Sequence, residues 1–132
     1  MKTVHVSGKR KQAIARATIK EGTGKVTINK FSLENYSHKI ARMRIMEPLM
    51  IADKIAKKVD ISINVIGGGQ SSQAEASRLT VAKALVEYSK SSTLKEEFLK
   101  YDRHLLVADV RRKEQCKPNV SKARKKRQKS YR

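Results

Sequence analysis

A small sheet with helices packed on one face, the α+β class, followed by a basic extended C-terminal tail, is what three observations on this 132-residue sequence predict. Apolar residues alternate with polar ones in several short segments, as in strands buried on one side. They recur with helical spacing in two longer stretches. After residue 110 they almost vanish, while basic residues crowd together.

The elements follow in order. Residues 3–7 alternate as a strand, and Gly8-Lys9-Arg10-Lys11 reads as a basic break. From Gln12 to Glu21 the alternation returns, with Ala13, Ala15, Ala17 and Ile19 on one side and Ile14, Arg16, Thr18 and Lys20 on the other. Gly22-Thr23-Gly24 signals a turn and residues 25–29 a further strand, so 12–29 reads as a hairpin. Between Ser37 and Val59 the period becomes helical, and Pro48, which has no N–H to donate, predicts two pieces over 38–47 and 49–57. Residues 60–66 are the clearest strand, with Ile61, Ile63 and Val65 on one side. After Gly67-Gly68-Gly69 a long helix reaches Ser89, with Leu79, Ala82, Leu85 and Val86 as its buried stripe and Ala74, Ala76 and Ala84 beside it. Ser92 or Thr93, with Glu96 beyond, caps a last helix to Tyr101, and Leu105-Leu106-Val107 anchors the end of the body.

Charge divides the chain in two. The sequence holds 31 Lys and Arg against 12 Asp and Glu, a net charge of +19. Residues 111–132 hold 11 of the basic residues and one acid, so more than half of the net charge lies on the last 22 positions. Cys116, Val120, Ala123 and Tyr131 are too few apolar residues to offset the entropy of ordering that stretch. Residues 1–110 are therefore expected to form a globular RNA-docking domain, and 111–132 a basic tail that orders on a polyanion. No apolar run approaches the roughly 20 residues that span a bilayer, and residues 1–5 open no signal-peptide stretch, so membrane insertion and secretion are not expected.

Catalytic chemistry finds little support. Cys116 stands alone in the charged tail, and His5, His38 and His104 lack the spacing of metal ligands. Glu75, Glu87, Glu96 and Glu97 read as isolated, solvated acids on helices. The run Gly67-Gly68-Gly69 precedes a helix start as in a phosphate cradle, but Gln70-Ser71-Ser72 follows where a P-loop needs Gly-Lys-Ser/Thr, and Ser72 breaks the dinucleotide fingerprint. A tight turn that permits close backbone approach is the simpler reading, with RNA-backbone contact the alternative. No enzyme, cofactor, metal or small-molecule substrate is expected.

The basic runs carry the functional signal. Lys9, Arg10, Lys11 and Arg16 cluster at the first turn, Arg42 and Arg44 lie off the apolar side of their helix, and Arg111 and Arg112 open the tail. Lys122, Arg124, Lys125, Lys126, Arg127 and Lys129 then put six cations into eight positions. Such clusters neutralise phosphates and release counterions, and arginine forks onto phosphate oxygens.

Three segments also carry a resemblance. Residues 8–17, GKRKQAIARA, resemble the opening signature of the universal small-subunit ribosomal protein S nine family. Residues 67–85, GGGQSSQAEASRLTVAKAL, are similar to its glycine-rich signature, and Arg127-Gln128-Lys129-Ser130-Tyr131-Arg132 resembles the ending of its archaeal and eukaryotic branch. Departures are local: Ser71-Ser72 replaces an apolar-Gly pair, Thr80 stands where a smaller residue is common, and Lys117-Pro118-Asn119-Val120-Ser121 replaces a Gly/Pro-rich stretch.

The resemblance implies a cytoplasmic protein in the head of the small ribosomal subunit, bound to ribosomal RNA beside neighbouring head proteins. It implies the fold of the second domain of ribosomal protein S five, with an unusual left-handed crossover. It also implies a tail that reaches the anticodon stem-loop of peptidyl-site tRNA, with Arg132 as the tRNA contact and Lys129 as a second. The bacterial penultimate cation is absent, and Tyr131 offers a base or sugar a stacking surface instead. A free RNA- or DNA-binding protein outside the ribosome explains the charge as well, but not three signatures in order.

Overall fold

The computed structural model describes residues 3–36 and 38–131. Five strands form one sheet in the order β1-β2-β5-β3-β4: β1 is Val4–Arg10, β2 Ala13–Glu21, β3 Val26–Ile28, β4 Phe31–Ser32 and β5 Val59–Ile66. Four helices, α1 (Lys39–Ile51), α2 (Asp53–Ala56), α3 (Gln70–Ser89) and α4 (Ser92–Tyr101), complete the body. In β2 and β5 buried residues alternate with exposed or half-buried ones, because one face of the sheet is covered by α3 and the other is open. Ala13, Ala15, Ala17 and Ile19 of β2 meet Ile61, Ile63 and Val65 of β5 and the alanine-rich side of α3 in the core. Leu79, Ala82 and Leu85 are buried as expected, and so are Ser77 and Thr80. The hydroxyls of both back-bond to the carbonyl four residues earlier, Gln73 and Ala76, which makes their burial tolerable.

The order of pairing corrects the expected hairpin over 12–29. β2 does not pair with β3; β5 lies between them, antiparallel to β2 and parallel to β3. A turn signal marks where the chain reverses but does not name the partner, and β5, with four of its eight residues buried, takes the central place. The turn after β2 is held by the sheet's centre instead: Gly22 N–H donates to Lys58 O, and the Asp60 carboxylate accepts the N–H groups of Lys25 at 2.9 Å and Thr23 at 2.8 Å. Asn29 and Lys30 link β3 to the short β4, both at positive φ as two-residue hairpins require. Asn29 also lies along β5, its side-chain oxygen accepting from Val65 N–H at 2.8 Å and its amide donating to Val65 O at 3.2 Å.

Three other boundaries differ from expectation. β1 runs through Gly8, Lys9 and Arg10, so only Lys11 and Gln12 form the turn that was read as a longer basic break. Gly8 gives α3 a close approach, since a Cβ there would lie 3.0 Å from Leu79 Cδ2 and 3.3 Å from Ala76 O, so the crossing helix would have to shift slightly. Helix α1 passes through Pro48 without stopping and ends at Ile51. Burial of the Pro48 ring with Ala41 and Ile45 on the core side outweighs the lost hydrogen bond, while Ile40, Met43, Met46 and Met50 face solvent. The cap of α4 is Ser91, whose hydroxyl accepts from Leu94 N–H, one residue before the expected Ser92.

Gly67 and Gly68 sit at φ +75° and +70°, against the β1–β2 turn. A Cβ on Gly68 would fall 2.9 Å from Ala13 Cβ, whereas one on Gly69 meets nothing within 4 Å. Gly68→Ala is thus expected to lower unfolding free energy by about 1–3 kcal/mol, and Gly69→Ala by less than about 0.5 kcal/mol, in urea titrations.

The two N–H groups on Asp60 hold its carboxyl below the ordinary carboxylate range, Lys25 contributing most and Thr23 next. A lowered folded-state pKa stabilises fully above the unfolded value near 4 and ceases to do so as pH falls through the folded one. The melting-temperature gap between the natural protein and Asp60→Asn should be constant from pH 7 to about 5 and close below about pH 4. A gap that persists to the lowest pH in calorimetry contradicts this account.

Candidate nucleic-acid interface

The open face of the sheet is built by register. Ser7, Arg16 and Asn64 lie in one row across β1, β2 and β5, and His5, Thr18 and Ser62 in the next. Lys9, Ile14 and Ile66 form a third row, and Lys20 stands beside Asp60 in a fourth. The face is therefore polar and cationic, with hydroxyls and an amide between its cations. Lys9, Arg16 and Lys20 are exposed and make no ion pair among the described residues. Its one acid in these rows, Asp60, is already occupied by two backbone N–H groups. His5 Nδ1 and Thr18 Oγ1 lie 3.0 Å apart, which ties the β1 edge to the same surface. Lys11, exposed at φ +53° in the adjoining turn, extends the cationic strip.

The glycine turn borders this region at the end of β5. Positive φ at Gly67 and Gly68 and their approach to Gln12 and Ala13 account for those two glycines by packing alone. Gly69 is the N-cap position of α3 and has open space around it.

Not every candidate cation is free. Arg10 points to the helix side of the sheet, where its Nε donates to Glu75 Oε2 on α3 at 2.7 Å and its Nη2 lies 3.2 Å from Asp109 Oδ2. Arg44 of α1 reaches the other oxygen of Glu75 at 3.2 Å. Arg78 of α3 spans Glu47 at 2.5 Å and Asp102 at 2.7 Å. These groups line a cavity of about 300 Å³ between β1, α1, α3 and the chain that follows α4. Glu75 is thus no solvated acid; the expectation fails because its partners lie 65 and 31 residues away and meet it only in the folded chain. Glu87, Glu96 and Glu97 are exposed as expected. Burial pushes the Asp102 carboxyl up, but His104 N–H and the Arg78 guanidinium outweigh it and hold it below the ordinary range. Burial likewise opposes the charge on Arg78, and Asp102 with Glu47 raises its pKa in spite of it. Arg78, Glu47, Asp102 and Asp109 carried no sequence signal of their own.

Arg42 is half-buried and donates to the carbonyl of Glu34 at 2.6 Å, fastening the turn after β4 to α1. Arg111 is bound by Asp109 through both side-chain oxygens, its Nη2 at 2.6 Å from Oδ2. Arg124 makes a two-fold contact with Glu114 at 2.9 and 2.6 Å. That pair is exposed and worth little in water, so a phosphate can replace the carboxylate.

Residues 111–131 contain no helix or strand, and nearly all are exposed. Arg112, Lys122, Lys125, Lys126, Arg127 and Lys129 are exposed without an ion pair among the described residues, and Tyr131 is exposed as well. Arg132 lies outside the described residues. Cys116 is a free, exposed thiol. Among the described residues no group of His, Cys, Asp or Glu could hold a metal ion, and no helix is long and apolar enough to cross a membrane.

Comparison with known proteins identifies relatives over nearly the whole length of the chain. The model of the family described as Ribosomal protein S9/S16 matches residues 8–132. Two strains of Methanococcus maripaludis have a protein named small ribosomal subunit protein uS9 that is 52% identical over 134 residues, covering all of both chains. The protein of that name from Methanococcus vannielii is 49% identical with the same coverage. Identity at this level over the whole length shows that the chain belongs to the Ribosomal protein S9/S16 family.

Proposed function

We propose that the protein is a constituent of the head of the small ribosomal subunit, where it binds ribosomal RNA and sends its tail to the peptidyl-site tRNA. Membership of a ribosomal-protein family gives it a structural, non-enzymatic role in translation. A cytoplasmic place in the ribosome follows from the same membership. The observation that carries the RNA reading is the pairing pattern of the cations. Lys9, Lys11, Arg16 and six tail residues are left without carboxylates among the described residues, in a chain of net charge +19. Unpaired, exposed cations on an acid-poor surface bind phosphates without regard to sequence, driven in part by the release of counterions.

In this reading the body docks by the open sheet face and its first turn, and residues 111–132 thread into RNA as a flexible arm. Lys129, Tyr131 and Arg132 stand at its end as the tRNA contacts, Tyr131 by stacking. Arg10, Arg44 and Arg111 contribute to RNA binding only where a phosphate competes with their carboxylates. Neighbouring head proteins are further partners, and the β3-to-β5 connection through α1 and α2 takes the left-handed sense implied by the likeness to ribosomal protein S five.

Co-migration with small subunits in sucrose gradients tests the assignment, and a large free pool contradicts it. Deletion of 129–132 is expected to leave subunit assembly intact and to weaken peptidyl-site tRNA binding by purified subunits. Unchanged tRNA affinity refutes the tail's role. Arg16→Ala should reduce the steepness of log affinity against log salt by about 0.7–0.9 for one lost phosphate contact, with the fold unchanged.

A further inference from the structure

Among the described residues, the tail has one polar tether to the body. Among the described residues, every hydrogen bond or ion pair made by residues 112–131 stays within that stretch, as with Arg124 on Glu114 and Val120 N–H on Lys117 O. The last bonds that reach back pass through Asp109, whose side chain is only 11% exposed. Ahead of it Arg10 lies 3.2 Å away, itself fixed by Glu75 at 2.7 Å. Behind it Arg111 is gripped through Nε at 2.9 Å, Nη2 at 2.6 Å and its backbone N–H at 2.9 Å. Glu75 in turn holds Arg44, so β1, α3 and α1 all converge on this point.

We infer that Asp109 is the positioning residue of the basic arm: by holding Arg10 and Arg111 together, it fixes where and in which direction residues 112–132 leave the body. This rests on the RNA-binding reading given above. A guanidinium bound through two of its nitrogens has its plane set as well as its distance, which a single contact does not achieve. Arg10 is half-buried and held by both Glu75 and Asp109, so a swing into solvent would break two ion pairs, and the point of attachment is stiff. The cations of the arm then reach RNA from a defined origin. Without the tether the arm is rooted at Leu105, which is fully buried, and its first residues wander.

The test uses the full chain and its single native thiol. A nitroxide on Cys116 and a second on exposed α4, through Glu97→Cys, report the distance distribution between arm and body by pulsed electron paramagnetic resonance. Releasing Asp109 lengthens the free tether to Cys116 from about 5 residues to about 11, so the distribution should widen about 1.5-fold in Asp109→Asn, since coil spread grows as the square root of length. Asp109→Glu should restore most of the width. Arg111→Gln, at an 80% exposed side chain that the body does not need for folding, should give an intermediate width. In assembled small subunits, an iron chelate on Cys116 should cut RNA at a focused set of positions in the natural chain and at a broader, weaker set in Asp109→Asn.

An unchanged width in both Asp109→Asn and Arg111→Gln overturns the inference. So does a widened distribution with an unchanged cutting pattern, because the tether would then be structural without directing the arm. Failure of the natural chain to enter small subunits refutes the proposed function instead, and the distance measurement on the free chain still decides the tether.

Discussion

Thirty-one cations and twelve carboxylates leave this chain a strong self-repulsion, and the fold depends on where its few acids are placed. Glu47, Glu75, Asp102 and Asp109 gather around one cavity and neutralise Arg10, Arg44, Arg78 and Arg111 where β1, α1, α3 and the root of the tail meet. Asp60 stabilises the turn beside the sheet's centre through backbone N–H groups. Placed there, the acids allow the body to close over its aliphatic core while the open sheet face and the tail remain cationic. A partly buried pair is screened less by salt than an exposed one, so compaction of the body and attraction to polyanions respond differently to ionic strength.

The division of cations into two populations is the main functional content of the structure. Lys9, Arg10 and Lys11 are adjacent in sequence and chemically alike. The strand's alternation turns Lys9 to the open face and Arg10 inward to Glu75, while the turn carries Lys11 into solvent. Under the function proposed above for this member of the Ribosomal protein S9/S16 family, RNA is the counterpart of the outward set.

Local periodicity was legible and long-range partnership was not. The strand over 13–21 stands out in the sequence because it buries alternate positions, whereas the helix over 70–89 buries Leu79, Thr80, Val81 and Ala82 in succession, more than the single stripe that its spacing suggested. Pro48 misled because a rule about one hydrogen bond says nothing of the packing that surrounds the ring. The hairpin over 12–29 misled because Gly22-Thr23-Gly24 specifies a bend, and the partner that fills the space beside β2 comes 38 positions after Glu21, which pairs with Val59. The crowding of cations after residue 110 was visible in composition. The engagement of Arg10, Arg44 and Arg111 was not, since each is distinguished from its free neighbours only by a distant carboxylate.

The central place of β5 also sets an order in time. As the chain is synthesised from its N-terminus, β1 and β2 emerge with a partner each in the other, but β2 keeps its second edge bare and β3 has no long partner at all. Both wait for residues 59–66. Until then Ala13, Ala15, Ala17 and Ile19 face water on one side of an incomplete two-stranded ribbon, the kind of surface that associates wrongly when crowded. The positive charge that dominates the early segment, with Lys9, Arg10 and Lys11 at its tip, keeps such ribbons apart by mutual repulsion during that interval. Lys9 and Lys11, which the finished sheet leaves exposed, thus have a use before the sheet is complete, as a guard against premature association.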